Sequence, residues 1–89
     1  MLYIFREEGQ VFFIEDTPVK TVKIGQKSAM LEINGDQYIV DVLSSINFGG
    51  VRIELRRIMG SVADWRFYGP REIIILREEI YMHVKKGQL

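Results

Sequence analysis

Four apolar residues stand without a break at Ile73-Ile74-Ile75-Leu76, shortly after the turn pair Gly69-Pro70, and three of them are β-branched. The run is too short for a helix and lacks the polar alternation of a strand with one wet face. It therefore predicts a strand covered on both faces. After Arg77 the pattern changes to helical spacing, with Glu78 and Glu79 in a first turn, Ile80 and Val84 four apart, Lys85-Lys86 in a last turn and Gly87 behind them. Acids at the start and bases at the end suit the helix dipole. Arg77 marks the point where a covered strand gives way to a solvated helix.

Upstream, alternation and turn residues recur at short intervals. Residues 1–6 put Leu2, Ile4 and Arg6 on one face of a strand and Tyr3 and Phe5 on the other. Glu7-Glu8-Gly9-Gln10 reads as a turn, and Val11-Phe12-Phe13-Ile14 as a second strand ending at Glu15-Asp16. Thr17-Pro18 is expected to break that strand, and residues 19–24 alternate loosely as far as Gly25. Residues 29–33 and 37–43 flank Asn34-Gly35-Asp36, the strongest hairpin signal in the chain. Asn47-Phe48-Gly49-Gly50 reads as a further turn. After it Val51, Ile53 and Leu55 face inward while Arg52, Glu54 and Arg56 face outward. Met59-Gly60-Ser61 interrupts, and residues 62–67 form one more strand before Gly69-Pro70. The pattern predicts an all-β domain of small antiparallel sheets with a short C-terminal helix.

Eighty-nine residues make one domain, residues 1–89. A domain of this size buries only roughly 60–65% of its unfolded surface, so a strand sheathed on both faces is hard to house alone. A homodimer is the expected solution. The absence of cysteine excludes a disulfide framework and a thiolate metal site. No apolar run approaches a membrane span and no signal-peptide pattern opens the chain, so the expectation is a soluble cytoplasmic protein with no membrane partner. The formal net charge is +0, but residues 1–50 carry four Lys/Arg against seven acids, and residues 51–89 carry eight against five, six of the eight being arginine. Such asymmetry fits a solvated surface and a binding patch equally well.

Catalysis finds little footing. The single His83 falls on the exposed side of the short helix and cannot build a metal cluster by itself. Glu7-Glu8, Glu15-Asp16 and Glu78-Glu79 suit solvated turns and a helix start better than acid–base pairs. There is no glycine-rich phosphate loop. No enzymatic activity, metal or other cofactor is expected.

The two ends of the chain together resemble the carbon storage regulator family (CsrA/RsmA), small bacterial proteins that bind messenger RNA. The opening Met1-Leu2-x-Ile4-x-Arg6-x-x-Gly9-Gln10-x-x-x-Ile14-x-Asp16 matches the family's first strand, turn and second strand. The closing Gly69-Pro70-Arg71-Glu72-Ile73-Ile74-Ile75-Leu76-Arg77-Glu78-Glu79-Ile80-Tyr81 matches its last strand and helix start, and Arg77-Glu78-Glu79-Ile80-Tyr81 is the most specific piece. Members are usually shorter. The extra β-hairpin segments here fall between residues 17 and 67, mainly 18–36 and 57–66, around residues 38–55, which look like the family's central hairpin. Where the family usually has two consecutive arginines in its first strand, this chain has Arg6-Glu7.

The resemblance implies an intertwined, strand-exchanged homodimer in which the first strand of one subunit lies beside the last strand of the other. It implies a post-transcriptional regulator that binds GGA-containing single-stranded loops in mRNA or small RNA, and so represses translation or alters message stability. Arg6 and Arg77 match the family's RNA-contacting arginines; Ile4, Ile75 and Leu76 match neighbours that pack on bases or offer main-chain groups. A guanidinium suits phosphate or the guanine edge. Glu7 replaces a cation by an anion and opposes phosphate binding. Arg52, Arg56, Arg57 and Arg66 are candidates to compensate. Trp65, Phe67 and Tyr68 are candidates to stack on bases, with core packing the expected use of Trp65 and Phe67. The competing expectation is a protein-interaction module on the same scaffold that has lost RNA binding, an antagonist or heterodimer partner, or one that recognises a protein through the inserted segment.

Overall fold

The computed structural model describes residues 2–87; Met1, which opens the predicted first strand, lies outside them. Among the described residues nine strands precede one helix: β1 (Leu2–Glu7), β2 (Val11–Ile14), β3 (Thr17–Ile24), β4 (Ser28–Ile33), β5 (Asp36–Asp41), β6 (Ser45–Phe48), β7 (Val51–Met59), β8 (Val62–Tyr68), β9 (Ile75–Arg77) and α1 (Glu78–Gly87). They form two antiparallel sheets, a first in the order β1-β8-β7-β6 and a second in the order β5-β4-β3-β2-β9. The prediction of small antiparallel sheets ending in a short helix holds.

Alternation sends one face of each strand into a shared core. Ile4, Ile53, Leu55, Trp65 and Phe67 come from the first sheet, and Phe12, Val19, Leu31, Ile33 and Val40 from the second; all are buried. Two contacts fix the sheets face to face. Phe12 meets Phe67 edge-on with ring centroids 5.1 Å apart. The buried indole N–H of Trp65 donates to Thr21 Oγ1 at 3.2 Å, which satisfies the one polar atom of an otherwise apolar ring. Trp65 and Phe67 are thus core residues, as expected.

The turns follow their residue chemistry. Asn34 (φ 53°) and Gly35 (φ 84°) join β4 to β5 in the left-handed conformation that two-residue hairpins need. Gly49 (φ 57°) and Gly50 (φ 81°) do the same between β6 and β7. Two bulges explain the looser alternation elsewhere. In β3 the register shifts between Thr21 and Lys23, which returns Ile24 to the side of Ala29. In β7 it shifts between Leu55 and Arg57, so Arg57 pairs with outward Asp64 and Ile58 with buried Ala63.

Four expectations are corrected. Thr17-Pro18 does not break a strand but opens β3; β4 ends at Ile33 opposite Val19, so on that side no ladder bond is asked of the proline nitrogen. Asn47-Phe48, read as part of a turn, instead closes the strand Ser45–Phe48, whose Ile46 and Phe48 lean on the core. Residues 38–55 are not one hairpin: β5 belongs to the second sheet, while β6 and β7 belong to the first. Last, the apolar run at residues 73–76 is not sheathed on both faces within the chain. Ile73 N donates to Pro70 O in a turn, the ladder begins only at Ile75, and Ile74 is 56% exposed.

The two lateral seams between the sheets differ. At the β5–β6 side, Val42 N donates to Lys27 O and Leu43 N to Leu55 O, so the crossover is stitched to both sheets. At the opposite side lie the edge strands β1 and β9, each with a ladder partner on one side only. That seam is open.

Candidate functional site

The open seam is a groove of about 460 Å³ lined by Leu2, Tyr3, Ile4 and Phe5 from β1 and by Ile75, Leu76, Arg77 and Ile80 from the other wall. It continues at Leu2 and Ile75 into a second hollow of about 480 Å³ beside Gly69, Pro70 and Ile74. The two termini that sequence motifs single out therefore meet along one groove. Its walls carry the unpaired backbone edges of two strands, and its margin is apolar: Tyr3, Phe5, Ile74 and Ile80 are all exposed.

Arg6 follows the groove residues of β1 in sequence but is not part of the lining. Inward alternation buries it to 5% exposure, next to Ile4 on the same face of β1. Its Nε donates to Phe5 O at 2.6 Å and Nη1 to Val11 O at 3.1 Å. Nη1 and Nη2 donate to Glu79 Oε1 and Oε2, both at 3.1 Å, in a two-pronged pair. This pair joins β1 of the first sheet to the helix that follows β9 of the second. Arg6, which the resemblance matches to an RNA-contacting arginine, is a buried clamp with its donors engaged.

Arg77 takes the exposed position. Its side chain is 48% exposed, and Nε stands 4.0 Å from Glu79 Oε2, a long contact that leaves most of the guanidinium to solvent. The hydrogen bonds from Arg6, then the backbone at the helix start and the nearby charges of Arg6 and Arg77, lower the Glu79 carboxyl to about 2. Glu79 is ionised across any ordinary pH.

Each member of the Arg77-Glu78-Glu79-Ile80-Tyr81 motif has a separate place. Arg77 stands on the rim, Glu78 is exposed at the helix start, Glu79 holds Arg6 and Ile80 lines the groove. Tyr81 stacks on Phe13 with centroids 3.7 Å apart and planes 4° from parallel, and its hydroxyl donates to Asp16 Oδ1 at 2.9 Å. Lys85, one turn later, reaches the same carboxylate at 3.3 Å. The Tyr81 hydrogen bond, with help from Lys85, holds Asp16 below the usual carboxylate range. These contacts pin α1 against β2 and so fix Glu79 under Arg6. His83 is exposed on the helix.

Of the five residues expected to contact RNA, Ile4, Ile75, Leu76 and Arg77 line the groove, and Arg6 is buried outside the lining. Glu7 follows Tyr3 and Phe5 on the outward face of β1, paired with Val62, and is not part of the lining. Sequence reasoning missed Tyr3, Phe5 and Ile80 as groove residues. Their signal was present: two exposed rings at alternate positions of an edge strand.

The remaining arginines are also placed. Arg52, Arg57 and Arg66 lie on the outward face of the first sheet with Tyr3 and Tyr68. Asp64, fully buried beneath them, accepts from Arg66 at 2.9 and 3.0 Å and from Arg57 at 3.1 Å. Burial pushes its carboxyl up, but the hydrogen bonds from Arg66 and Arg57 outweigh that and leave it below the ordinary value. Arg56 occupies the bulge and is exposed. Among the described residues no helix is long and apolar enough to cross a membrane, and no cluster of His, Asp and Glu is arranged to hold a metal. In comparisons with known proteins, no family model, no curated protein and no solved structure matches this chain.

Proposed function

We propose that this chain is a divergent post-transcriptional regulator that binds GGA-containing single-stranded RNA loops in the groove between β1 and β9, and so represses translation or alters message stability. The observation that carries the reading is the convergence of the two resembling termini on one groove, with Arg77 half exposed on its rim. Single-stranded RNA is taken by cationic and planar side chains beside exposed backbone groups, and this groove offers all three. Arg77 is the direct contact; Ile4, Ile75 and Leu76 supply the apolar walls and strand edges. Arg6 acts through Glu79, holding the groove's two walls together. Glu7 does not line the groove, but it shares the outward face of β1 with Tyr3 and Phe5 and opposes phosphate there. A gel shift with a GGA-loop hairpin RNA tests this. Binding at micromolar protein in low salt is expected, weakened about tenfold or more by Arg77→Ala. Absence of binding would end the reading.

A second reading, a protein-interaction module, is favoured by one observation: the groove margin is apolar, and the strand edges of β1 and β9 are open to a further strand. A second copy is the first candidate occupant, in keeping with the homodimer the resemblance implies, and a conventional family member is the next. Light scattering after gel filtration, then pull-down with such a member, separates the two. A monomer that captures neither would remove this reading.

A further inference from the structure

We propose that the outward face of the first sheet is a stacking platform for the nucleotides that flank an RNA segment held in the β1–β9 groove. The inference rests on the RNA-binding reading of that groove and extends it to a surface the terminal motifs do not include.

The face is built of alternating rings and guanidiniums in cross-strand register. Tyr3 of β1 stands opposite Arg66 of β8, and Tyr68 of β8 stands opposite Arg52 of β7. Within each pair the guanidinium lies over the ring, at 5.0 Å from the centroid for Arg66 on Tyr3 and 4.4 Å for Arg52 on Tyr68. Phe5 extends the row, its ring 5.3 Å from that of Tyr3. Bases stack on aromatic faces and on guanidinium planes alike, without regard to sequence.

Two features suit this face to nucleotides rather than to a folded protein. Glu7 stands beyond Phe5 at the end of β1, and the other two carboxylates are already occupied, Asp64 by Arg57 and Arg66 and Glu54 by the Tyr68 hydroxyl at 3.1 Å. They pin the planar groups before any ligand arrives, which lowers the entropy cost of binding. Its exposed apolar residues lie at the margins, Tyr3 and Phe5 on β1 and Met59 at the end of β7, whereas a protein interface concentrates them at the centre. The β1 margin is shared, since Tyr3 and Phe5 also line the groove. A strand leaving the groove over β1 crosses directly onto the platform.

Fluorescence anisotropy on the full chain tests this with two probes: a minimal GGA-loop hairpin, and an unpaired RNA with GGA flanked by uridines. The double substitution Arg52→Gln, Tyr68→Leu is expected to weaken the flanked strand about tenfold and to leave the hairpin unchanged, with the circular dichroism spectrum intact. Arg77→Ala is expected to weaken both. If the double variant binds the flanked strand as the wild type does, the platform is overturned while the groove reading stands. A change in oligomeric state on the double substitution would assign the face to contact between copies and overturn it too. Failure of the wild type to bind either probe would instead defeat the groove reading, and this inference with it.

Discussion

Glu79 serves two arginines at once, and its distances differ enough to separate their roles. Arg6 is held at 3.1 Å by both carboxylate oxygens and is buried; Arg77 is 4.0 Å away and half exposed. The first contact is structural, and the second leaves a cation half in solvent. Because the folded-state value of Glu79 is about 2 against an ordinary 4.5, the unfolded chain takes up the proton first as pH falls. The stability this carboxylate contributes is present above that ordinary value and is lost as pH drops toward about 2. The midpoint of urea unfolding should therefore fall more steeply for wild type than for Glu79→Gln across that window. Parallel curves would mean that the pair contributes nothing. At neutral pH Glu79→Gln should cost about 1–2 kcal/mol, the loss of a charged hydrogen-bond pair with one partner half in solvent. The inward place of Arg6 was legible in the sequence, where alternation puts it on the face of Leu2 and Ile4. Its partner was not, because Glu79 lies far along the chain and only the tertiary fold brings the two together.

At the scale of elements, strand alternation and turn chemistry carry most of the fold, and departures trace to local causes. The bulge in β7 moves Arg57 outward to Asp64; nothing in Arg56-Arg57 as a pair of letters says which residue is the extra one. β6 was hidden because Ser45-Ile46-Asn47-Phe48 runs straight into Gly49-Gly50, so a short alternating strand looks like the turn it feeds. The run at residues 73–76 misled for a different reason. Its composition is that of a covered strand, yet the turn after Pro70 consumes its first half and only Ile75–Arg77 joins a ladder. The helix, by contrast, was legible in its charges and spacing. Its anchoring depends on the Tyr81 ring against Phe13 and the Asp16 contacts. Tyr81→Ala should free α1 from β2 while leaving the sheets intact, at a cost of about 1–2 kcal/mol. Hydrogen exchange reads this directly: protection should fall in residues 78–87 and persist in β7 and β8. Uniform loss of protection would mean that the helix is integral to the core.

At the scale of the molecule, the two seams divide the labour. Backbone hydrogen bonds close the β5–β6 side, and the core of Trp65, Phe12 and Leu31 holds the sheets together, so the β1–β9 side is free to remain open. An open seam with two strand edges and an apolar margin is costly to leave bare in water, which is the physical ground of the proposed RNA occupant. The sequence motifs pointed to the residues of this groove; they could not show which strands flank its walls, because the pairings β1–β8 and β2–β9 span the whole inserted segment. The most direct test is a map of backbone amide shifts by nuclear magnetic resonance as a GGA-loop hairpin RNA is added. The account predicts the largest changes along β1 and at Ile75, Leu76 and Arg77, with the β4–β5 hairpin unmoved. Changes centred on that hairpin, or none at saturating RNA, would contradict it.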